Sequence, residues 1–491
     1  MPSINDILIL LPEVYLVVAA CVLLLLDAYL KPGQKGTVHW LSILVLLIGA
    51  YLVVSGQPAS PVTAFSGMFV RDGVAEVLKL FSLLITAVIF VYARPYLKER
   101  AIPFGEFYTL TIFATVGIMF LVSAGSLVTV YLGLELLTLS SYALVALNRD
   151  SQLSSEAAIK YFVLGALASG MLLYGMSMVY GASGMGGTPS LDLAQLHGVM
   201  SYTTAPTLLL FGLVFMIVGI GFKLGAAPFH MWIPDVYQGS PTAVTVFIGS
   251  AQKLAAFGMA YRLLSTGMGD AAGGATGLAS QWQLMLAVLA VLSLAIGNLV
   301  AIVQTNLKRL LAYSTISHMG YLLLGLVNAG PEGYSASMFY AVSYALTSAA
   351  AFGMILVLSR SGFECEEIDD LRGLNQRSPW FAFLMLLVMF SLAGVPPLFG
   401  FFGKLLVLKA AVDAGMLWLA LVGAVFAIIG LYYYLRVVKV MYFDQPAEGT
   451  DVRATADAPA RWVLSINALA LLVLGFTWAP LLAWCQRAFA G

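Results

Sequence analysis

Charge is what this chain has least of. Only 10% of its 491 residues are Asp, Glu, Lys or Arg, against 61% hydrophobic, whereas soluble domains carry roughly 25% charged residues. That deficit excludes a water-soluble fold and leaves an integral membrane protein. The 24 basic and 24 acidic residues cancel, which removes the electrostatic case for nucleic acid or for a polybasic membrane patch. Cysteine is scarce as well. Cys21, Cys365 and Cys485 stand far apart, with no CxxC, haem or iron–sulfur spacing, so neither a metal cluster, a bound redox cofactor nor a disulfide framework is implied. The opening MPSINDILIL has no basic run and no small-residue cleavage site; its hydrophobic stretch is expected to be a retained helix and not a signal peptide.

What the chain does have is apolar runs long enough to cross a bilayer. About fourteen spans are expected, near 7–30, 39–55, 74–93, 107–124, 126–147, 158–180, 206–239, 243–265, 283–303, 309–328, 336–359, 380–413, 415–442 and 460–484. The expected fold is an all-α polytopic membrane protein, a single membrane domain over 1–491, and no connection has room for a soluble domain. Fifteen Lys and Arg residues, from Lys31 to Arg461, lie in or beside the loops after odd-numbered spans. Only Arg71, Arg262 and Arg487 lie after even-numbered ones. Basic residues gather on the cytoplasmic side, so both termini are expected outside.

Two spans are too long and are interrupted, the seventh at Pro228 and the twelfth at Pro396 and Pro397. Proline removes a backbone donor and clashes with the preceding turn, so both helices should break. A pair of broken helices in matching places of two halves points to an inverted repeat around an ion path. The expected division is an N-terminal part over 1–106, a first five-helix repeat over 107–265 with its broken helix at 206–239, a second over 283–442 with its broken helix at 380–413, and a last helix at 460–484. With five helices per repeat, the two copies must run in opposite senses.

Four charges fall inside spans: Glu135, Lys223, Lys253 and Lys404. Each costs roughly 2.5 to 3.5 kcal/mol on insertion scales, which makes it a candidate functional group. At helical spacing Tyr131, Glu135, Thr138 and Tyr142 share a face that could line a hydrated path; the alternative is a neutral Glu joining two helices. Lys223 could be a carrier or an amine snorkelling from a helix end, whereas Lys253 is about ten residues from either end and cannot easily snorkel. Desolvation disfavours the charged form of an amine, so a buried lysine suits proton carriage. Ser314, Ser317, His318 and Tyr321 form another polar face, where His318 fits a relay or a packing role. Lys308 fits proton uptake and positive-side anchoring equally well. His230 and Asp235, just after the first break, are expected to orient that short element. Glu13, Asp27, Glu76 and Lys79 are expected to be structural, with Glu76 and Lys79 at pairing distance on one helix.

The strings YLGLELLTLSSYALVAL, FKLGAAPFHMWIPDVYQGSPTAVTVF, NLKRLLAYSTISHMGYLLLG and FSLAGVPPLFGFFGK resemble the antiporter-like membrane subunits of proton-translocating NADH:quinone oxidoreductase, respiratory complex I, which are related to Mrp-type cation/proton antiporters. VYQGSP looks like the N-type version. The resemblance implies that Glu135 and Lys223 match the family's Glu–Lys pair, Lys253 its central lysine, and Lys404 its terminal ionisable residue. It implies a translocase subunit that moves protons while redox chemistry proceeds elsewhere, with no cofactor in this chain. FMN, iron–sulfur clusters and quinone belong to other subunits. It further implies lipid and the L-, M-, K-, J-, A- and H-type membrane subunits as partners, and the bacterial inner membrane as location. The alternative is a free-standing Mrp-type antiporter subunit.

Overall fold

The computed structural model describes residues 3–31, 34–58, 60–185, 188–200, 206–269, 278–360, 362–446, 455 and 457–490. Arg453, one of the basic loop residues counted above, lies outside them. So do parts of the connections 181–205, 266–281 and 443–461.

The main helices, in chain order, are α1 (Leu11–Tyr29), α2 (Gly36–Ser55), α3 (Gly73–Glu99), α4 (Phe104–Val122), α5 (Leu127–Val145), α6 (Gln152–Gly184), α7 (Pro206–Leu224), α8 (Trp232–Gly239) and α9 (Thr242–Gly249). They continue with α10 (Ala251–Tyr261), α11 (Leu278–Ile302), α12 (Leu307–Leu326), α13 (Pro331–Leu358), α14 (Pro379–Ala393), α15 (Phe399–Asp413), α16 (Leu417–Tyr442), α17 (Ala458–Phe476) and α18 (Trp478–Ala488). Twelve helices among the described residues are long and apolar enough to cross a membrane, the stretch Thr242–Gly267 counting as one. The chain is therefore a multi-pass α-helical membrane protein. α12 is too polar to qualify on composition, yet neighbours bury nearly all of it. Strands Val62–Ala64 and Phe69–Arg71 pair antiparallel in one connection.

Helix starts follow their capping chemistry. The side chains of Asp72, Ser126, Ser151, Asn306 and Asp457 each accept a hydrogen bond from a first-turn amide, satisfying a donor that would otherwise be orphaned in lipid. Two of these starts share a further device. Leu127 N donates to Leu191 O at 2.9 Å, with Ser126 bridged to Asp192; Leu307 N donates to Glu366 O at 2.5 Å, with Asn306 bridged to Glu367. Close backbone approach recurs at the same offset from each cap. A Cβ on Gly117 would sit 2.5 Å from Leu137 N, and one on Gly297 would sit 2.5 Å from Ser317 N.

Both expected breaks are present. α7 stops at Gly225, φ +80°, and α14 at Gly394, φ +83°, each three residues before a proline that follows a cis peptide, Pro228 and Pro397. The left-handed backbone at both stops suits glycine. Pro228, Pro396 and Pro397 themselves are exposed on the surface of the chain.

Three expectations need correction. The eighth span is not one continuous helix: it is interrupted at Ser250 (φ −121°, ψ −83°) and ends in a π-helical turn, Arg262–Gly267. The sequence cue was the Gly249–Ser250 pair, a recognised kink site. Glu76 and Lys79 do not pair with each other; Lys79 reaches Glu13 at 2.7 Å across to α1, and Glu76 takes Arg71 at 2.5 Å. Arg71 and Arg262, counted as loop charges, are buried, Arg262 forming a pair with Asp72 at 2.7 Å.

Candidate functional site

The three lysines in question are all buried, Lys223 at 5%, Lys253 at 1% and Lys404 at 7% exposure. Two are held by the ends of broken helices. Lys253 Nζ donates to Leu224 O at 3.0 Å, the last carbonyl before Gly225. Lys404 Nζ donates to Leu392 O and Ala393 O, both at 2.9 Å, immediately before Gly394. A helix C-terminus presents unpaired carbonyls and the negative end of the macrodipole, so it stabilises a cation without a carboxylate. Glycine clears the space at both stops, for Ile233 at the first and for Lys404 at the second. A Cβ on Gly225 would lie 3.7 Å from Lys253 Nζ and 1.9 Å from Ile233 Cδ1, and one on Gly394 would lie 2.8 Å from Lys404 Cδ. Each ammonium also faces a ring, Lys253 that of Trp232 at 5.5 Å and Lys404 that of Tyr321 at 4.9 Å. Such contacts stabilise a desolvated cation by about 2 kcal/mol.

Lys223, in the last turn of α7, is different. Its Nζ has no hydrogen-bond partner among the described residues, and neither has Glu135 Oε1. The expected Glu–Lys pair is therefore not in contact, although Glu135 lies within electrostatic reach of Lys223, and Lys223 of Lys253. Glu135 is half-buried on a face of α5 whose neighbours Leu132 and Leu139 are exposed. Thr138 Oγ1 bonds back to Leu134 O at 2.9 Å, Tyr142 is buried edge-on against Tyr161, and Tyr131 is half-exposed.

His318 sits at the centre of a hydroxyl cage. Its Nδ1 is 2.6 Å from Tyr340 Oη and its Nε2 3.1 Å from Tyr434 Oη, which in turn contacts Ser314 Oγ at 2.5 Å. Tyr344 packs against the imidazole, tilted by 34° with centroids 4.8 Å apart, and donates to Thr315 at 2.7 Å. Tyr321, expected in this group, instead donates to Gly423 O at 2.8 Å and offers its ring to Lys404. Both imidazole nitrogens thus have exchangeable partners, the requirement for a proton relay. α8, which carries Trp232 and Tyr237, packs against α12.

Asp235 of α8 pairs with Lys160 of α6 at 2.8 Å and with Arg309 of α12 at 2.9 Å. His230 is half-buried, and its Nδ1 has no hydrogen-bond partner among the described residues. Lys308 is buried and donates to Ser240 O at 3.0 Å, with Glu364 at 3.8 Å. No group of three or more His, Cys, Asp or Glu suited to a metal occurs among the described residues.

Sequence reasoning missed Tyr340, Tyr344, Tyr434, Trp232 and Glu364. The i, i+4 spacing of Tyr340 and Tyr344 was a usable sign, but aromatics are common in apolar runs. Glu364 lies in a loop, where acids need no special explanation.

A family model described as NADH:quinone oxidoreductase/Mrp antiporter, TM, matches residues 124–430. Relatives include NADH-quinone oxidoreductase subunit N of Xanthomonas euvesicatoria pv. vesicatoria, 55% identical over 99% of this chain and 97% of that protein. The subunit of that name from Thiobacillus denitrificans is 50% identical over 97% of this chain and 96% of that protein. Among solved structures, a chain of respiratory complex I from Thermus thermophilus has a TM-score of 0.79 at 33% identity, covering 96% of this chain and 98% of its own length. A chain of the Mrp complex from Dietzia sp. has a TM-score of 0.83 at 22% identity, covering 99% and 97%; that likeness is one of fold alone.

Proposed function

The chain belongs to the NADH-quinone oxidoreductase subunit N family, within the wider NADH:quinone oxidoreductase/Mrp antiporter family, and on that premise we propose that it carries protons across the membrane, driven by quinone reduction elsewhere in the complex. The observation that carries this reading is the row of three buried lysines, two of them held on the carbonyl ends of broken helices. A scaffold gains nothing from three amines kept from water. An amine seated on helix-end carbonyls instead of a fixed carboxylate keeps its proton exchangeable.

In this mechanism Glu135 acts on Lys223 through space and favours its charged form. When a change transmitted from the quinone-reducing part moves that carboxylate, Lys223 loses its counter-charge and gives up its proton. The proton passes to Lys253, then by the His318 cage, with Ser314, to Lys404, which releases it outside. Lys308 supplies the second half from the inner side. The matched caps, glycine contacts and breaks support an inverted pair of five-helix repeats over 107–265 and 283–442. The excess of basic residues in alternate loops supports outward termini in a bacterial inner membrane. The chain contributes no redox group; FMN, iron–sulfur clusters and quinone are assigned to other subunits, and the L-, M-, K-, J-, A- and H-type subunits are its neighbours. A free-standing antiporter has the wider family and the shared fold in its favour, whereas subunit N relatives match at 50% and 55% identity over nearly the whole chain.

Lys223→Ala or Glu135→Ala in the assembled complex is expected to lower proton pumping. Normal coupled turnover and pumping in both variants would rule out the pairing.

A further inference from the structure

One carboxylate joins four separate parts of the chain where α3 ends and α9 and α12 begin. Glu364, in the connection between α13 and α14, accepts hydrogen bonds from Tyr96 Oη, 3.1 Å from each oxygen, and from Thr242 Oγ1. Arg100 lies at 3.5 Å and Lys308 Nζ at 3.8 Å. The Glu364 side chain is 24% exposed and that of Lys308 only 3%, so the carboxylate reaches from the surface to an amine that water does not reach. The loop holding it is pinned on both sides. Arg100 donates to the carbonyls of Arg360 and Phe363, both at 3.1 Å, while the bridge from Asn306 to Glu367 fixes the loop on the first turn of α12. On its buried side Lys308 donates to Ser240 O, where α8 ends.

We propose that Glu364 loads Lys308 with protons from the water on this side, as the proton-transfer residue at the mouth of the second half. The inference rests on the proton-carrying reading above. Once Lys308 has passed its proton inward it is a neutral amine. Glu364 then takes a proton from water as a carboxylic acid and hands it to that amine, which restores carboxylate and ammonium and consumes nothing else. The 3.8 Å separation is one small side-chain shift from the roughly 2.6–3.2 Å over which a proton is exchanged. The groups facing Glu364 are Tyr96 of α3, Arg100 just after it, Thr242 of α9, Lys308 of α12, and Glu366 of its own loop. Burial pushes the Glu364 carboxyl up, but Lys308, Thr242, Arg100 and Tyr96 outweigh it and hold it below the usual carboxylate range. Lys308 is the largest of these lowering influences. Its discharge therefore raises the affinity of Glu364 for a proton when a proton is needed.

The test uses the whole complex in sealed inside-out vesicles, with proton pumping followed against pH and assembled complex quantified on a native gel. Glu364→Gln is expected to assemble normally and pump about a hundredfold more slowly, the low side of what a positioned proton-transfer group contributes. Glu364→Asp, whose acid is one methylene short, is expected to pump at an intermediate rate with a displaced pH profile. Wild-type rates and profiles in both variants overturn the proposal. If the Gln variant does not assemble, the Asp profile decides: displaced supports loading, superposed on wild type overturns it. Lys253→Met separates the two levels. If it stops pumping while Glu364→Gln pumps normally, only the loading role fails; if it pumps normally itself, the proton-carrying reading fails with it.

Discussion

Lys253 and Lys404 are kept by backbone carbonyls, whereas Lys79, equally buried, is kept by Glu13 at 2.7 Å. That contrast is the one expected between a proposed carrier and a strut. Removing one partner of a buried ion pair costs about 3 to 5 kcal/mol, because the other is left uncompensated, while apolar replacement of both is often neutral. Lys79→Met is therefore expected to lower the thermal midpoint of the solubilised complex, and Lys79→Met with Glu13→Leu to recover most of the loss. Recovery that does not occur would mean the pair has a further role. The sign of the Glu364 contribution to stability also follows from its surroundings. Its carboxyl is held below the ordinary value near 4.5, so the stability it adds is complete above about pH 4.5 and is lost as pH falls below that. Unfolding of the Glu364→Gln variant should lack this acid-side loss. Charges deep in apolar runs were readable at once, because each is anomalous against its neighbours. The tyrosines around His318 were not, since a hydroxyl's partner depends on which helices meet.

At the level of elements, the two breaks were readable because Pro228 and the Pro396–Pro397 pair remove backbone donors and clash with the preceding turn. The interruption at Ser250 had only the Gly249–Ser250 pair as a sign, and the π-helical turn after Tyr261 had none, because arginine is compatible with continuous helix and only packing selects the departure. Glycine does the close work at each break. Gly394→Ala places a left-handed alanine, costing roughly 1–2 kcal/mol, and its Cβ would be 2.8 Å from Lys404 Cδ. Gly415, φ +75°, has the same backbone and open space around it. Gly415→Ala should thus show the backbone cost alone, and Gly394→Ala should add a fall in proton pumping by displacing Lys404. Equal pumping in the two variants would detach Lys404 from the path.

Across the whole molecule, buried ion pairs sit at one end of α3 and the Glu364 cluster at the other. Arg262 with Asp72, Arg71 with Glu76 and Lys79 with Glu13 clamp the N-terminal helices to the end of α10 and its π-helical turn. Glu364 gathers α3, α9 and α12 at the opposite end. The multi-pass class was plain from composition and run length. These clamps were hidden, because α1, α3 and α10 are far apart in sequence and a single chain's spacing does not show which charges meet. Of the three buried lysines of the row, Lys253 is the least exposed, at 1%. The most direct measurement is therefore proton release per NADH oxidised in sealed vesicles carrying Lys253→Met in an otherwise intact complex. The expected result is a complex assembled in normal amount with clearly fewer protons released, or with turnover and release falling together. Normal turnover with an undiminished proton yield would contradict proton carriage by this row.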